Sequence, residues 1–262
     1  ALTKFLYWIK KSKIDKLTER DIESKLESYR KKSKNYLYPS FNTIAGSGPN
    51  GAIIHYKSTK ASNRKLNKKD LLLVDSGGQY KWGTTDVTRT ICFSNASPKI
   101  KELFTRVLKG HIAVALSKIN YQTTGDEIDK KARQSLNSVG LDYRHGTGHG
   151  VGFFLNVHEG PQSISKNNQV KLSEGMILSN EPGFYLENKF GIRIENLVFI
   201  KKNKKNLKFE NLTYAPIDKD LINFKMLTKK EKDYLFKYHL EVYSMLSPFL
   251  NKNEKQWLVK SI

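Results

Sequence analysis

Cysteine is nearly absent from this sequence. Cys92 is the single one in 262 residues, so no internal disulfide can staple the fold. Stability must come from a core, and 38% hydrophobic with 11% aromatic residues is enough to build one. The same composition excludes a disordered chain. No apolar run approaches the roughly 20 residues that span a bilayer. Residues 1–17 are rich in lysine and lack the small-residue cleavage site of a signal peptide. Together these absences lead to the expectation of a cytoplasmic protein with no membrane partner.

Arginine is scarce as well. Eight of the 46 basic residues are Arg and 38 are Lys, against 25 acidic residues, for a net charge of +21. Such a charge raises the question of a nucleic-acid partner. Proteins that read nucleic acids rely on the arginine fork for paired contacts. Here the lysines are scattered, as in "KKSK" (31–34) and "KNKKNLK" (202–208), with no aromatic platform between them. The expectation is no specific nucleic-acid partner, with the charge serving solubility and the attraction of acidic ligands.

What the chain does contain is helical periodicity giving way to strand-like runs, twice over. Leu2, Phe5, Leu6 and Ile9 begin a helix with no cap residue, as expected of a chain that continues a longer one. Thr18 caps a second helix, buried along Ile22, Leu26 and Tyr29. Residues 38–56 predict a strand, a Gly/Pro turn and a second strand. Further strands are predicted at 71–74 and 87–93. Ser97-Pro98 opens a long helix with Leu103, Phe104, Val107, Leu108, Ile112 and Leu116 on one side. Thr124 and Glu127 form a capping box for the next helix, which the pattern ends at Gly140. Strands follow at 176–180 and 192–200. Thr228 and Glu231 start a C-terminal helix with the apolar stripe Leu235, Tyr238, Val242 and Met245, a packing or dimer face. The order predicts an α+β fold of two similar halves, 1–95 and 98–215, with an antiparallel or mixed sheet covered by helices.

Five residues stand out against this frame: Asp75, Asp86, His149, Glu181 and Glu195. Each falls at a strand end or in a glycine-rich loop. "LLLVD", "MILSNE" and "IRIE" each close an apolar run on an acid. Singly, Asp75 could close a turn, Glu195 could pair with Arg193, and His149 could be a core histidine. Together they are costly to bury unless a cation compensates. Four carboxylates and one imidazole make a hard donor set, suited to a pair of manganese, cobalt or zinc ions and not to a thiolate zinc site. Two divalent ions would neutralise the four carboxylates. Such a pair lowers the pKa of a water between them and clamps the attacked oxygen.

The stretches "DSGGQY", "GTTDVTRT", "HGTGHGVG", "NEPGFY" and "GIRIEN" together resemble the pita-bread metallopeptidases, over nearly the whole chain. "GPNGAIIHY" (48–56) and "FLNVHEGP" (154–161) narrow the resemblance to the Xaa-Pro aminopeptidases of three-domain type. "EPGFY" departs from the commoner "EPGYY" at Phe184, which removes one hydroxyl and leaves the candidate ligands in place.

The resemblance implies a pita-bread catalytic domain over 1–215 and a helical C-terminal extension over 216–262 that contributes to a homodimer. The N-terminal domains of the three-domain relatives are not in this sequence. It implies that Asp86 and Glu195 bridge two ions, that His149 and Glu181 complete one, and that Asp75 binds the other. Manganese is the first expectation, with cobalt or zinc as alternatives. His55, His145 and His158 match histidines around the scissile bond, Arg193 orients the site, and Glu181 takes a proton from the bridging water. The implied reaction releases the N-terminal residue from peptides with proline second, by attack of a metal-bridging hydroxide on the Xaa-Pro carbonyl. Xaa-Pro dipeptidase and methionine aminopeptidase share the ligands and are the rival enzymes. A metal-free binding protein on the same fold would have lost them.

Overall fold

A computed structural model describes all 262 residues. The first half runs α1 (Leu2–Lys11), α2 (Glu19–Arg30), then strands β1 (Tyr36–Tyr38), β2 (Ile44–Ser47), β3 (Leu72–Ser76), β4 (Gln79–Tyr80), β5 (Gly83–Thr84) and β6 (Val87–Ile91). The second half repeats the order with α3 (Pro98–Ala115) and α4 (Gly125–Asn137). Its strands are β7 (Gly148–His149), β8 (Ser163–Ile164), β9 (Ile177–Asn180), β10 (Gly183–Leu186), β11 (Phe190–Arg193), β12 (Asn196–Asn203) and β13 (Asn206–Asn211). Two further helices close the chain, α5 (Lys229–Leu246) and α6 (Lys252–Ser261).

Each half builds a three-stranded antiparallel sheet, β2-β3-β6 in the first and β13-β12-β9 in the second. All named strand pairs are antiparallel, and no sheet closes into a barrel. β3 reads as a continuous apolar run because it is the middle strand and every residue of it is buried. The halves echo each other in detail. Thr18 caps α2 and Thr124 caps α4, both as capping boxes, with Asp21 and Glu127 reaching back. Each threonine also makes an isolated antiparallel bridge to a lysine, Thr18 to Lys65 and Thr124 to Lys171. The same local device thus pins the second helix of each half to the loop that follows its sheet entry. These are the two similar halves expected of the pita-bread fold.

α3 is the spine of the main core. Leu103, Phe104, Val107, Leu108 and Ile112 bury there with Ile192 and Ile194 behind the site. The C-terminal stripe joins them: Leu235, Tyr238, Val242 and Leu258 are in the same cluster, 3% exposed or less. Residues from 216 onward therefore pack on the body of the fold and share its core. The stripe Leu235–Tyr238–Val242 is spent within the chain, and of the four residues only Met245 stays half exposed. The last segment, with Trp257 and Leu258, is a helix capped by Asn251 and Glu254. Arg89 explains why this end of the chain is held so closely. It is 2% exposed and donates to Glu195 O, Asn196 Oδ1, Ala215 O, Pro216 O and Tyr238 Oη at 2.6–3.0 Å.

Two strand expectations are corrected. Residues 52–56 do not form a strand. Gly48–Ala52 is a 3-10 turn with Gly48 at φ +54°, and the chain wraps on through a turn to Tyr56. The run 192–200 is broken in two at Ile194–Glu195, between β11 and β12. At the break Glu195 N donates to Thr88 O at 3.2 Å, so the chain steps from one partner strand to another. The apolar run looked continuous because both pieces are buried.

Candidate metal centre

The centre forms where β6 of the first half meets the β11–β12 junction of the second. Asp75 lies on β3 and pairs in register with Thr88 on β6. Asp86 immediately precedes β6. Between them the chain leaves the sheet through the β4–β5 hairpin and returns. Gly77 permits the return: a Cβ there would lie 2.0 Å from Thr85 O, closer than any side chain tolerates. The two aspartates, eleven positions apart in sequence, are thereby brought face to face.

His149 comes from β7, Glu181 follows β9, and Glu195 sits in the break. Donor atoms of Asp75, Asp86 and Glu195 all lie within 4.8 Å of one another, as do those of His149, Glu181 and Glu195. The two triads share Glu195. His149 Nε2 is 3.3 Å from Asp86 Oδ2 and 3.4 Å from Glu181 Oε1. The structure thus brings all five candidate ligands together at one wall of a cavity of about 430 Å3, and Asp75, Asp86 and Glu195 are buried. His55, His145, His158 and Arg193 line the same cavity.

The hydrogen bonds around the five suit a cation. His149 Nδ1 faces Gly150 O at 2.9 Å, so that nitrogen carries a hydrogen and Nε2, turned toward the acids, is the one left to ligate a cation. Thr88 Oγ1 donates to Glu195 Oε2 at 2.7 Å, Ser179 Oγ to Glu181 Oε1 at 3.0 Å, and Arg193 to Asp75 Oδ2 at 2.8 Å. Asp75 Oδ1 is buried with no partner at all. A buried, unpartnered carboxylate oxygen beside two further carboxylates is unfavourable in any protein that holds no cation there. The donor set fits two divalent ions.

The protonation equilibria report the same crowding. Burial pushes the Asp86 carboxyl up to about 6, with Asp75 adding to the push and the His149 ring opposing it. Burial likewise lifts Glu181 to about 7. Glu195 is pushed well above the carboxylate range by burial and then by Asp86, Asp75 and Glu181. For His149 burial works downward, but the bond to Asp86 and the charge of Glu181 outweigh it and raise the ring to about 9. Carboxylates going up while an imidazole goes up beside them is the signature of excess negative charge.

The other three histidines differ from one another. The His158 ring leans on His149 at 40° with ring centroids 3.8 Å apart, and burial lowers its pKa. His55 is exposed at the cavity edge. His145 is half-buried, and its loss of solvation pulls it down to about 3 and keeps it neutral. Its Nδ1 faces Gly146 O at 2.8 Å and so bears the hydrogen, and its Nε2 accepts from Tyr185 Oη at 2.8 Å. That hydroxyl in turn accepts from Arg193 at 2.7 Å. Both nitrogens of His145 are engaged, so neither is free to reach the scissile bond.

Sequence reasoning missed four residues here: Thr88, Tyr185, Ser179 and Arg89. Thr88 was legible in principle, two residues after Asp86 on the same strand face. Tyr185 lay inside "EPGFY" but had no signal beyond the motif. Ser179, two residues before Glu181, was equally legible, whereas Arg89 acts through long-range contacts that no local pattern encodes.

Residues 1–202 match metallopeptidase family M24, and residues 205–262 match the C-terminal region of peptidase M24. Aminopeptidase P2 of Arabidopsis thaliana is 46% identical over 271 residues, covering 98% of this chain and 38% of that protein. The crystal structure of X-prolyl aminopeptidase from Caenorhabditis elegans, described as a cytosolic enzyme with a di-nuclear active site, superposes with a TM-score of 0.93 at 36% identity. It covers 99% of this chain and 45% of its own. Prolidase from Pyrococcus furiosus reaches a TM-score of 0.72 at 30% identity, over 82% of this chain and 60% of its own. The chain spans less than half the length of both aminopeptidases.

Proposed function

Because this chain belongs to metallopeptidase family M24, we propose that it is the catalytic body of a two-metal Xaa-Pro aminopeptidase. It releases the N-terminal residue from peptides whose second residue is proline. The observation that carries this reading is the pair of donor triads sharing Glu195, beside the unpartnered Asp75 Oδ1. Asp86 and Glu195 would be shared by the two ions, with His149 and Glu181 as further ligands of one and Asp75 as a ligand of the other. Hard oxygen donors favour manganese, with cobalt or zinc as alternatives. Two ions held there supply a water of lowered pKa and a clamp on the carbonyl oxygen.

The chain's own residues do the rest. Glu181 takes the proton of the attacking water on Oε2, because Ser179 occupies Oε1. His158 and His55 face the cavity with free ring nitrogens and stabilise the oxygen of the reacting carbonyl or pass a proton to the leaving nitrogen. Arg193, Tyr185 and His145 form a chain of hydrogen bonds that fixes Asp75 from behind. His145 thus orients the wall of the cavity. The aminopeptidase assignment over the dipeptidase one is supported by the 46% identity to aminopeptidase P2 over 98% of the chain, against 30% to the prolidase over 82%. The test is hydrolysis of Xaa-Pro-Yaa beside Xaa-Pro by the manganese-loaded chain. Release of Xaa from the tripeptide supports the reading, and cleavage of the dipeptide alone favours the rival.

The proposed setting is the cytosol, and the proposed assembly is a homodimer to which the C-terminal region contributes. No helix is long and apolar enough to cross a membrane. With the inner stripe of α5 buried, the candidate surface is the outer one: Phe236 and Leu240, one turn apart, are 63% and 51% exposed. Cutting the chain at Ile217 would remove part of the core, so the assembly is tested by sedimentation of the chain beside Phe236→Glu/Leu240→Glu. A dimer that the double variant splits supports the proposal, and a monomeric parent chain removes it.

A further inference from the structure

The motif "GPNGAIIHY" is the one sequence signal that the metal centre does not use. Ile54 and His55 line the cavity, but the rest of it lies outside. The structure shows what holds it. Glu19, in the first turn of α2, is 0% exposed and has no basic partner among its hydrogen bonds. Its Oε1 accepts from Ser47 N at 2.8 Å and Asn50 Nδ2 at 3.0 Å. Its Oε2 accepts from Tyr56 Oη at 2.7 Å and Arg64 N at 2.9 Å. Two donors on each oxygen satisfy a buried carboxylate without a cation, and charge-assisted bonds of this kind are about twice as strong as neutral ones. Such a group is expensive to bury, and here its donors span residues 47–64.

The same segment is wedged from its other side. A Cβ on Gly191 of β11 would lie 1.8 Å from Gly51 O, and one on Gly46 would lie 2.7 Å from Gly51 Cα. Three backbones therefore meet in van der Waals contact, and β11 is the strand that ends on Arg193. Between Asn50 and Tyr56 the chain makes only local turn bonds, Ile53 N to Asn50 O and Tyr56 N to Ile53 O. The exposed His55 sits on this short span, with both of its ends tied to Glu19.

We infer that Glu19 is a positioning residue for His55: it clamps the 47–64 strap so that the imidazole stands over the substrate carbonyl. The inference rests on the reading of His55 as a group that faces substrate. Glu19 touches none of the five candidate ligands, so its effect separates from metal binding. Asn50 and Tyr56 belong to the clamp, which accounts for their place in the motif.

Glu19→Gln tests it. The amide keeps the shape but sets a donor against two N–H groups or against Arg64 N and Tyr56 Oη, so one half of the clamp opens. The first readout is amide hydrogen exchange. The variant should exchange faster at Ser47 and across 53–64, with 145–149 unchanged, and unaltered protection at 53–64 would overturn the inference. The second is turnover of Xaa-Pro-Yaa by the manganese-loaded protein. A catalytic group displaced by about 1 Å costs up to about 10²-fold. Glu19→Gln should lower kcat toward the level of His55→Ala while retaining its metal content. The double variant should be no slower than His55→Ala alone, as expected of residues acting as one unit. Losses that multiply would mean that Glu19 only supports the fold, and would overturn the inference. Tyr56→Phe removes a single anchor and carries both readouts should Glu19→Gln fail to fold. If the parent chain hydrolyses no peptide, the aminopeptidase reading has failed, and the exchange measurement still decides whether Glu19 holds the His55 strap.

Discussion

Glu195→Gln separates a metal centre from an ordinary cluster of acids, because the sign of its effect on stability should depend on the ions. Glu195 offers an oxygen within 4.8 Å of both Asp75 and Asp86. At that distance two unit charges repel by about 3.5 kcal/mol at an effective dielectric of about 20. Arg193 beside Asp75 and His149 beside Asp86 cancel part of this. Without ions the chain bears the remainder, either as repulsion or as a proton held on Glu195, whose carboxyl is pushed well above its ordinary range. Glutamine removes that cost and keeps the bond from Thr88 Oγ1 through its carbonyl. The metal-free variant should therefore be more stable than the parent by about 1–3 kcal/mol, a rise in Tm of about 2–10 °C. A carboxyl raised on folding opposes folding above its unfolded value of about 4.3, and that opposition vanishes in acid. The gain should accordingly fade as pH drops through about 4. With manganese the order reverses: the variant loses a shared ligand, and every tenfold loss of affinity removes about 1.4 kcal/mol of the ions' stabilisation. Thermal unfolding after exhaustive chelation, and again after manganese addition, reads both states. A variant that is less stable without ions, or that manganese stabilises as strongly as the parent, refutes the reasoning.

Three further outcomes follow from the same geometry. Asp86→Ala should lose both ions and all turnover together, since one residue serves both; near-normal turnover in a metal-counted preparation would contradict the shared-ligand assignment. His158→Ala should slow turnover by about 10²–10³-fold while metal content holds. A parallel fall in metal would place His158 among the ligands, as its proximity to Asp86 and His149 allows. Binding to nucleic acid should be weak, blind to sequence and steeply salt-dependent; tight preference for one oligonucleotide over scrambled controls at physiological salt would overturn the reading of the +21 charge.

The sequence made the site more legible than the path of the chain through it. Acids that close apolar runs are conspicuous because burial makes them costly, and the five candidate ligands all sit in that setting. The helix caps at Thr18, Thr124 and Thr228 were equally readable, since their chemistry spans three residues. Residues 52–56, at the end of the 38–56 stretch, were misread as a strand because the β-branched pair Ile53-Ile54 outweighed a preference set elsewhere, at Glu19 and Gly191. The break at Glu195 was invisible because both flanking pieces are apolar and buried. The roles of Arg89 and Tyr185 depend on partners up to 149 residues distant, which no local pattern carries. The C-terminal stripe was correctly apolar, but amphipathicity alone does not say whether a face meets its own core or another chain.

The most direct test of the central claim is a titration of the chelated chain with manganese, counting bound ions by mass spectrometry while following release of the N-terminal residue from Xaa-Pro-Yaa. The account predicts that activity appears with the ions and reaches its plateau at two per chain. Full activity at one ion per chain, or turnover that persists in the chelated protein, would contradict it.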